Sequence, residues 1–302
     1  MGLLRSLYIH VRAVVLVTPW VVYLGVADVW LSALLLVKPF APTLVYHVSS
    51  TIAYSVWRWV QHIFEDSNGA KIKFYGDSLP RKESAIVVSN HVTWADFYMI
   101  QALAMRSGML GQCRWFAKIQ LRLVPFLGWG LWAMGMPMVS RKWMRDQREM
   151  QRVFSGIVDR KWPVWLISFS EATRFTPQKY EEARAWCKQN GRPLPKHVLY
   201  PRTKGFVTTV QNLRKTGHVK AVYDLTIAYQ HKGKFHEAPT MWGTLHLPAI
   251  SSVHGYGFHV MARRFPLGEL PHTDEELAAW LEKRWVEKGN WLEEKKVEWA
   301  SK

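Results

Sequence analysis

The stretch that decides the fold is AIVVSNHVTWADFYMIQALAM, residues 85–105. It begins with apolar, largely β-branched residues, which are typical of a buried strand. The run stops at Asn90 and His91, and the residues from Trp94 to Met105 have the spacing of a helix. A strand that passes so quickly into a helix is typical of α/β proteins, in which ligands bind at the strand ends.

The rest of the chain after Lys71 repeats this alternation of short strands and amphipathic helices. The pattern predicts strands at 71–76, 85–90, 114–118, 135–140, 164–169, 197–200 and 220–229, and helices at 94–105, 143–158, 176–191, 205–214 and 274–296. Thr176 and Gly191 are cap residues at the two ends of the third helix. We therefore predict an α/β fold, a mixed sheet flanked by helices.

The first residues are different in character. Residues 13–37, AVVLVTPWVVYLGVADVWLSALLLV, carry one charge, Asp28, and are long enough to cross a hydrocarbon core of about 30 Å. The run is too long for a signal peptide, so we interpret it as a retained anchor in which Pro19 bends the helix or marks its entry. Residues 43–64 are less apolar and either cross the bilayer, return as the second arm of a hairpin or lie in the interface.

These segments predict an N-terminal membrane-associated helix pair, residues 1–65, and an α/β domain, residues 66–302. The alternative is a buried hairpin of a soluble domain. A third apolar patch, residues 124–139, is short for a span and predicts a buried or interfacial element.

The composition favours an anionic partner. The formal charge is +17, and residues 102–220 hold 22 Lys and Arg against 6 Asp and Glu. Together with 17 tryptophans, this charge suits a membrane surface with phosphate-bearing ligands. No zinc spacing or RNA-binding signature supports a nucleic-acid partner. Two cysteines form no disulfide framework, and no His or Cys spacing predicts a metal site; His254 and His259 are predicted to lie on a strand face.

His91 and Asp96 are the candidate catalytic pair. If the helix begins near Thr93, Asp96 lies in its first turn and can reach back to the imidazole. A carboxylate on one ring nitrogen fixes the tautomer and raises the basicity of the other nitrogen. Because no Gly-x-Ser-x-Gly motif supplies a nucleophile, the histidine would activate a substrate hydroxyl directly.

Cations follow several of the predicted strands. Arg141 follows 135–140, Glu171 and Arg174 follow 164–169, and Arg202 and Lys204 follow 197–200. Arginine binds phosphate through a bidentate fork, and lysine binds it as a point charge. Several cations that converge beside a possible base predict an anionic substrate that carries a hydroxyl.

These residues resemble the glycerolipid acyltransferases of the lysophosphatidate acyltransferase type. NHVTWAD has the Asn-His-x4-Asp form of that family, and SEATR is similar to its Glu-Gly-Thr-Arg block. VSRKW, YPRTKGF and AVYDLTIAY are similar to its other blocks, in the family's order. MGLL, AYSVW and RRFPLGELP extend the likeness over nearly the whole chain.

The resemblance implies acyl transfer from acyl-CoA to the sn-2 hydroxyl of lysophosphatidate, with His91 as base and Asp96 as its orienter. It implies that Glu171, Thr173, Arg174, Arg202 and Lys204 bind the acceptor phosphate and that Arg141 lies near the acceptor or acyl site. Acyl-CoA is then a co-substrate, and no cofactor or metal is expected. The implied setting is the endoplasmic reticulum membrane, with the active site at the cytosolic face.

One departure bears on the substrate. Ala172 stands where the family usually has glycine, so it either strains the backbone at positive φ or narrows the acceptor site with its methyl group. A remodelling acyltransferase for lysophosphatidylinositol or lysocardiolipin therefore remains an alternative. The other alternative is a membrane lipid-binding protein without turnover, although the His91–Asp96 pair argues against it.

Overall fold

The computed structural model describes residues 2–140 and 143–301. Its α-helices are α1 (Leu3–Val37), α2 (Pro42–His62), α3 (Asp96–Arg106), α4 (Leu127–Ala133), α5 (Trp143–Arg160), α6 (Pro177–Gln189), α7 (Thr203–Leu213), α8 (Met241–His246) and α9 (Asp274–Ala300). Its strands are β1 (Ile72–Gly76), β2 (Ser84–Ser89), β3 (Cys113–Trp115), β4 (Ala117–Lys118), β5 (Met138–Val139), β6 (Trp165–Phe169), β7 (Val219–His231), β8 (Lys234–Phe235) and β9 (Tyr256–Pro266). The predicted α/β class is confirmed.

One mixed sheet forms the centre of the domain. Its strand order is β1-β9-β7-β2-β6-β3, with β8 paired to β7, and β4 and β5 form a small parallel pair beside it. Strands β7, β2, β6 and β3 run parallel, whereas β9 is antiparallel to β7. Every residue of β2 is buried, as expected for a central strand that is covered on both faces.

The register places the ends of β2 and β6 together, beside the middle of β7. Ser89 at the end of β2 pairs with Phe169 of β6 and with Leu225 of β7. The segments that follow β2 and β6 therefore leave the sheet at the same edge. Strand β7 extends past that edge to His231 and flanks the segment that follows β2.

Each face of the sheet has its own core. Ala85 and Val87 of β2 pack on the side of α1, α2 and α3, whereas Ile86 and Val88 pack on the side of α5, α7 and α9. This alternation is the two-residue period of a strand, and it makes both layers necessary to bury the sheet.

The two N-terminal helices form an antiparallel pair along one flank of the domain. Trp20 Nε1 donates to the Val56 carbonyl at 3.2 Å, and the hydroxyls of Tyr23 and Ser55 lie 2.7 Å apart. Segment 43–64 thus returns as the second arm of a hairpin. Of the described helices, one stretch, Leu4–Val37, is long and apolar enough to cross a membrane, and it continues through Pro19. The outer face of α1 is open, with Val15 65% and Trp30 64% exposed, which favours membrane association over a buried hairpin.

Two local predictions need correction. Residues 197–200 form no strand, because His197 lies at φ 58° in a turn and Val198 and Leu199 are buried against the core instead of pairing with the sheet. A four-residue apolar run does not separate these two outcomes. His259 lies on strand β9 as predicted, but His254 lies in the turn that precedes it. The patch at 124–139 forms α4 and β5, with Phe126 and Trp129 exposed.

Candidate active site

The His91 ring and the Asp96 carboxylate form a hydrogen-bonded pair at the end of β2. His91 Nδ1 lies 2.7 Å from Asp96 Oδ2, and the carboxylate is fully buried while the imidazole is 13% exposed. With Nδ1–H donating to the carboxylate, the lone pair of the ring is on Nε2. The arrangement therefore suits a base that takes a proton from a bound hydroxyl.

Asp96 is fixed by donors from two parts of the chain. Its Oδ2 also accepts from the backbone N–H groups of Val92 and Thr93, at 2.7 and 3.0 Å, because α3 begins at Asp96. Its Oδ1 accepts from the Tyr229 hydroxyl of β7 at 2.6 Å. Burial, and then the negative charge of Asp96, raise the pKa of Tyr229, so this hydroxyl stays protonated and remains a donor. Tyr229 ends the AVYDLTIAY block, but it lies 133 residues after Asp96, and no spacing in the sequence indicated this contact.

Two further contacts hold His91 in place. Its ring stacks on Phe169 at the end of β6, with the ring centroids 4.0 Å apart. Its carbonyl accepts from the backbone N–H of Phe175 at 2.7 Å, which ties the segment after β6 to the segment after β2. The imidazole thus has one face and one edge fixed before any substrate binds.

Asn90 has a structural role that the sequence did not indicate. Its side chain donates to the Ile227 carbonyl at 3.0 Å and accepts from the Ile227 N–H at 2.8 Å. These two bonds imitate one step of strand pairing just beyond the end of β2. The asparagine therefore sets the position of its neighbour His91 relative to β7.

A cleft of about 490 Å³ opens beside His91. Its lining combines cations (Lys118, Arg174, Lys179, Arg202) with apolar side chains (Phe97, Trp115, Phe116, Val139, Phe169, Phe206). No Asp or Glu of the described ranges lines it, and none forms an ion pair with these four cations. The cleft can therefore take a ligand with an anionic head and an apolar chain.

The structure brings together some of the predicted site residues. Thr173, Arg174 and Arg202 line the cleft with His91. Lys179, which the sequence did not indicate, also lines it and donates to the Thr173 hydroxyl. The backbone N–H of Arg202 donates to the Ser170 carbonyl at 2.7 Å, so Arg202 reaches the sheet edge although no strand precedes it.

The remaining predicted residues lie elsewhere. Lys204 is exposed in the first turn of α7 and does not line the cleft. Arg141 lies outside the described residues. Glu171 does not line the cleft either, since it is buried behind His91, where Trp285 Nε1 of α9 lies 3.4 Å from its carboxyl. Burial raises the pKa of Glu171 well above its usual range, and Trp285 and the backbone N–H groups of Leu199 and His91 oppose that rise. This placement suits a structural role for Glu171 at the end of β6, without direct contact with the ligand.

Ala172 lies in the left-handed region at φ 58° and also lines the cleft. The backbone is strained, since a Cβ crowds the carbonyl oxygen at positive φ. The methyl group in turn occupies space beside Thr173 and Arg174.

Replacement of Ala172 by glycine is expected to raise the stability of the protein by about 1 kcal/mol, because glycine removes the Cβ strain. Thermal unfolding of the full chain in detergent micelles would measure it. The matched control is Ala185→Gly in the exposed middle of α6, which should lower stability by about 0.5–1 kcal/mol. The same sign at both positions would contradict the strain argument.

Comparison with known families defines the class of the protein. The family described as Acyltransferase matches residues 71–230, more than half of the 302 residues. The family described as Acyltransferase C-terminus matches residues 252–296. The protein is thus an acyltransferase, and the first match contains the His91–Asp96 pair.

Individual relatives narrow this class. The chain is 33% identical over 268 residues to 1-acyl-sn-glycerol-3-phosphate acyltransferase delta of Homo sapiens, covering 86% of this chain and 67% of that protein. It is 30% identical over 263 residues to 1-acyl-sn-glycerol-3-phosphate acyltransferase 3 of Arabidopsis thaliana, with the same coverages. The chain therefore belongs to the 1-acyl-sn-glycerol-3-phosphate acyltransferase family, and the resemblance seen in the sequence is confirmed. Among solved structures, the 1-acyl-sn-glycerophosphate acyltransferase PlsC of Thermotoga maritima is 17% identical, with a TM-score of 0.48 over 89% of this chain and 95% of that chain.

Proposed function

We propose that this acyltransferase moves an acyl group from acyl-CoA to the sn-2 hydroxyl of lysophosphatidate and forms phosphatidate. One observation carries the proposal: a histidine oriented by a buried carboxylate lies in a cleft whose four cations have no carboxylate partner among the described residues. A substrate for this site should carry a hydroxyl that His91 can deprotonate and an anionic group that the cations can bind. Lysophosphatidate carries both on one small molecule, and the names of the relatives agree with this acceptor.

In this mechanism His91 Nε2 takes the proton of the acceptor hydroxyl as its oxygen attacks the thioester carbonyl. The new C–O bond forms, the C–S bond breaks, and the proton on His91 passes to the departing thiolate. Asp96 stabilises the imidazolium while it exists and keeps the ring in position. The thioester is already activated, so the reaction needs neither a covalent enzyme intermediate nor a metal.

The cations in the cleft bind the phosphate of the acceptor. Arg174 and Arg202 offer guanidinium forks, and Lys179 offers a point charge from the first turns of α6. The apolar side chains between Phe97 and Val139 receive the acyl chain. The α1–α2 pair brings this cleft to a lipid surface, and we assign the protein to the endoplasmic reticulum membrane with the cleft at the cytosolic face.

An acceptor panel tests the function. The purified full chain in detergent micelles, given labelled acyl-CoA, is expected to acylate lysophosphatidate faster than lysophosphatidylinositol or lysocardiolipin. Faster acylation of either of the latter would identify a remodelling enzyme, for which the Ala172 methyl group in the cleft would be the relevant feature. Binding of these lipids with no transfer to any of them would identify a lipid-binding protein instead.

The Arg202→Gln variant tests the phosphate contact. It is expected to raise the KM for lysophosphatidate about tenfold or more, because a charge-assisted contact in the ground state is lost. Lys215→Gln, which removes an exposed cation beyond the end of α7 and outside the cleft, is the control. A rise in the KM for acyl-CoA alone would reassign Arg202 to the donor.

A further inference from the structure

A second cleft, of about 260 Å³, lies where the turn between α1 and α2 meets the domain. It is lined by the end of α1, the start of α2, the end of α4 and the C-terminal half of α5. Val164, just before β6, lines this cleft, whereas His91 stacks on Phe169 at the other end of β6. The two clefts thus lie at opposite edges of the sheet, and this one is not part of the candidate active site.

Positive charge is in excess in this second cleft. The cleft is lined by Lys38, Arg114, Arg152 and Arg160. Among residues 2–140 and 143–301, one carboxylate forms an ion pair with a member of this set: Glu149, which lies 2.6 Å from Arg152. Arg114 is buried and donates to main-chain carbonyls and to a serine hydroxyl, which satisfy its hydrogen bonds but do not neutralise its charge. The cleft therefore carries uncompensated positive charge that an anion could balance.

Lys38 lies in this cleft and is held at the end of α4. Its Nζ donates to the carbonyls of Trp132 and Ala133 at 3.1 and 3.0 Å, at the end of α4. Burial, and then the charges of Arg152 and Arg114, lower the pKa of Lys38 to about 8, against the opposing charge of Glu149. A bound anion would relieve the repulsion between these neighbouring cations.

Trp132 adds a hydrogen-bond donor that has no acceptor. Its indole Nε1 is buried and has no partner in the described part of the chain. The ring lines the cleft, with Lys38, Arg122 and Arg152 between 4.8 and 5.3 Å from its centroid. Buried N–H groups are rarely left unpaired, so an acceptor is expected beside this one. A phosphate supplies several acceptor oxygens and negative charge at one point.

The surroundings of the cleft point to a lipid as the source of that phosphate. Phe40, in the turn between α1 and α2, is 88% exposed, and Leu36 and Leu44 on either side are 79% and 57% exposed. We propose that this cleft binds the headgroup phosphate of an anionic membrane lipid, whose acyl chains lie against Phe40 and its neighbours. The site is separate from the catalytic reaction and fastens the tip of the hairpin to an anionic leaflet.

Native mass spectrometry of the full chain in detergent micelles tests this site, with phosphatidylglycerol, phosphatidylcholine and inorganic phosphate as probes. Phosphatidylglycerol is expected to bind more tightly than the other two. Trp132→Phe, which removes the indole donor and keeps a ring, and Arg160→Gln, which removes an exposed cation of the cleft, should each weaken that binding about tenfold. Arg58→Gln removes one exposed cation of α2 outside the cleft and should leave the binding within about twofold, since exposed charges at a distance contribute little.

Each result decides the proposal. Equal weakening by Arg58→Gln and Arg160→Gln would show attraction by general charge and would overturn the site. Unchanged binding in Trp132→Phe would overturn the role of the indole donor, and with Arg160→Gln also unchanged it would remove the site altogether. Binding of inorganic phosphate as tight as that of phosphatidylglycerol would assign the cleft to a soluble anion and overturn the lipid. Melting temperatures of the variants within a few degrees of the wild type would show that each still folds.

Discussion

Replacement of His91 by alanine is expected to lower kcat/KM for acyl transfer by about 10²–10⁴-fold, the usual contribution of a general base. Asp96 keeps its contacts with the Val92 and Thr93 N–H groups and with Tyr229, so the carboxylate is not left without donors. The fold should therefore survive. Transfer of labelled acyl groups to lysophosphatidate, measured beside the melting temperature, would separate loss of chemistry from loss of structure.

The chain supplies a matched control for this experiment. His62 Nδ1 lies 2.6 Å from Asp66 on the exposed side of the hairpin, so it is a second histidine–aspartate pair that lies outside the cleft. His62→Ala should leave kcat/KM within about twofold, since an exposed pair contributes little. Retention of more than about a tenth of the activity in His91→Ala would exclude the general-base role, for which a larger loss is expected.

Local pattern was sufficient for most of the fold. The apolar, largely β-branched run AIVVS and the cap residues Thr176 and Gly191 reflect forces within a few residues, and strand β2 and helix α6 follow them. The Thr176 hydroxyl accepts from the Lys179 N–H at 3.2 Å, as a capping residue should. Strand prediction was wrong at 197–200, because burial there comes from tertiary contacts of Val198 and Leu199.

The candidate site shows the same division. The spacing of His91 and Asp96 places both at one strand end, and the structure joins them at 2.7 Å. Tyr229 and Lys179 enter through the register of β7 and the position of α6, which no local spacing reveals. Glu171 was predicted from the SEATR motif to bind the substrate, but its side chain is buried beneath the site and does not line the cleft. Strand ends predict where a site lies better than which side chains face the ligand.

The α9 helix offers the largest expected effect on stability. Lys288 of α9 and Asp224 of β7 are both completely buried and form an ion pair in the core between helix and sheet. Lys288 Nζ also donates to the Leu225 carbonyl at 2.6 Å, and Arg263 reaches the other oxygen of Asp224 at 2.6 Å. Burial lowers the pKa of Lys288, and the charge of Asp224 opposes that shift.

Lys288→Met is expected to lower the free energy of unfolding by about 3–5 kcal/mol, because it leaves the Asp224 carboxylate buried with one partner fewer. Urea unfolding of the full chain in detergent micelles would measure the change through the midpoint at an unchanged slope. Lys283→Met, on the exposed side of the same helix, should shift stability by less than about 0.5 kcal/mol.

A double variant separates the two possible causes of that loss. Asp224→Leu with Lys288→Met replaces both charges by apolar groups, and if the uncompensated carboxylate is the cause, the double variant should be more stable than Lys288→Met alone. Arg263 retains Glu287 as a partner in that variant, so no new unpaired cation is created. If the double variant is instead the less stable of the two, packing of the long Lys288 side chain between α9 and β7 is what matters, and the ion pair is not the source of the stability.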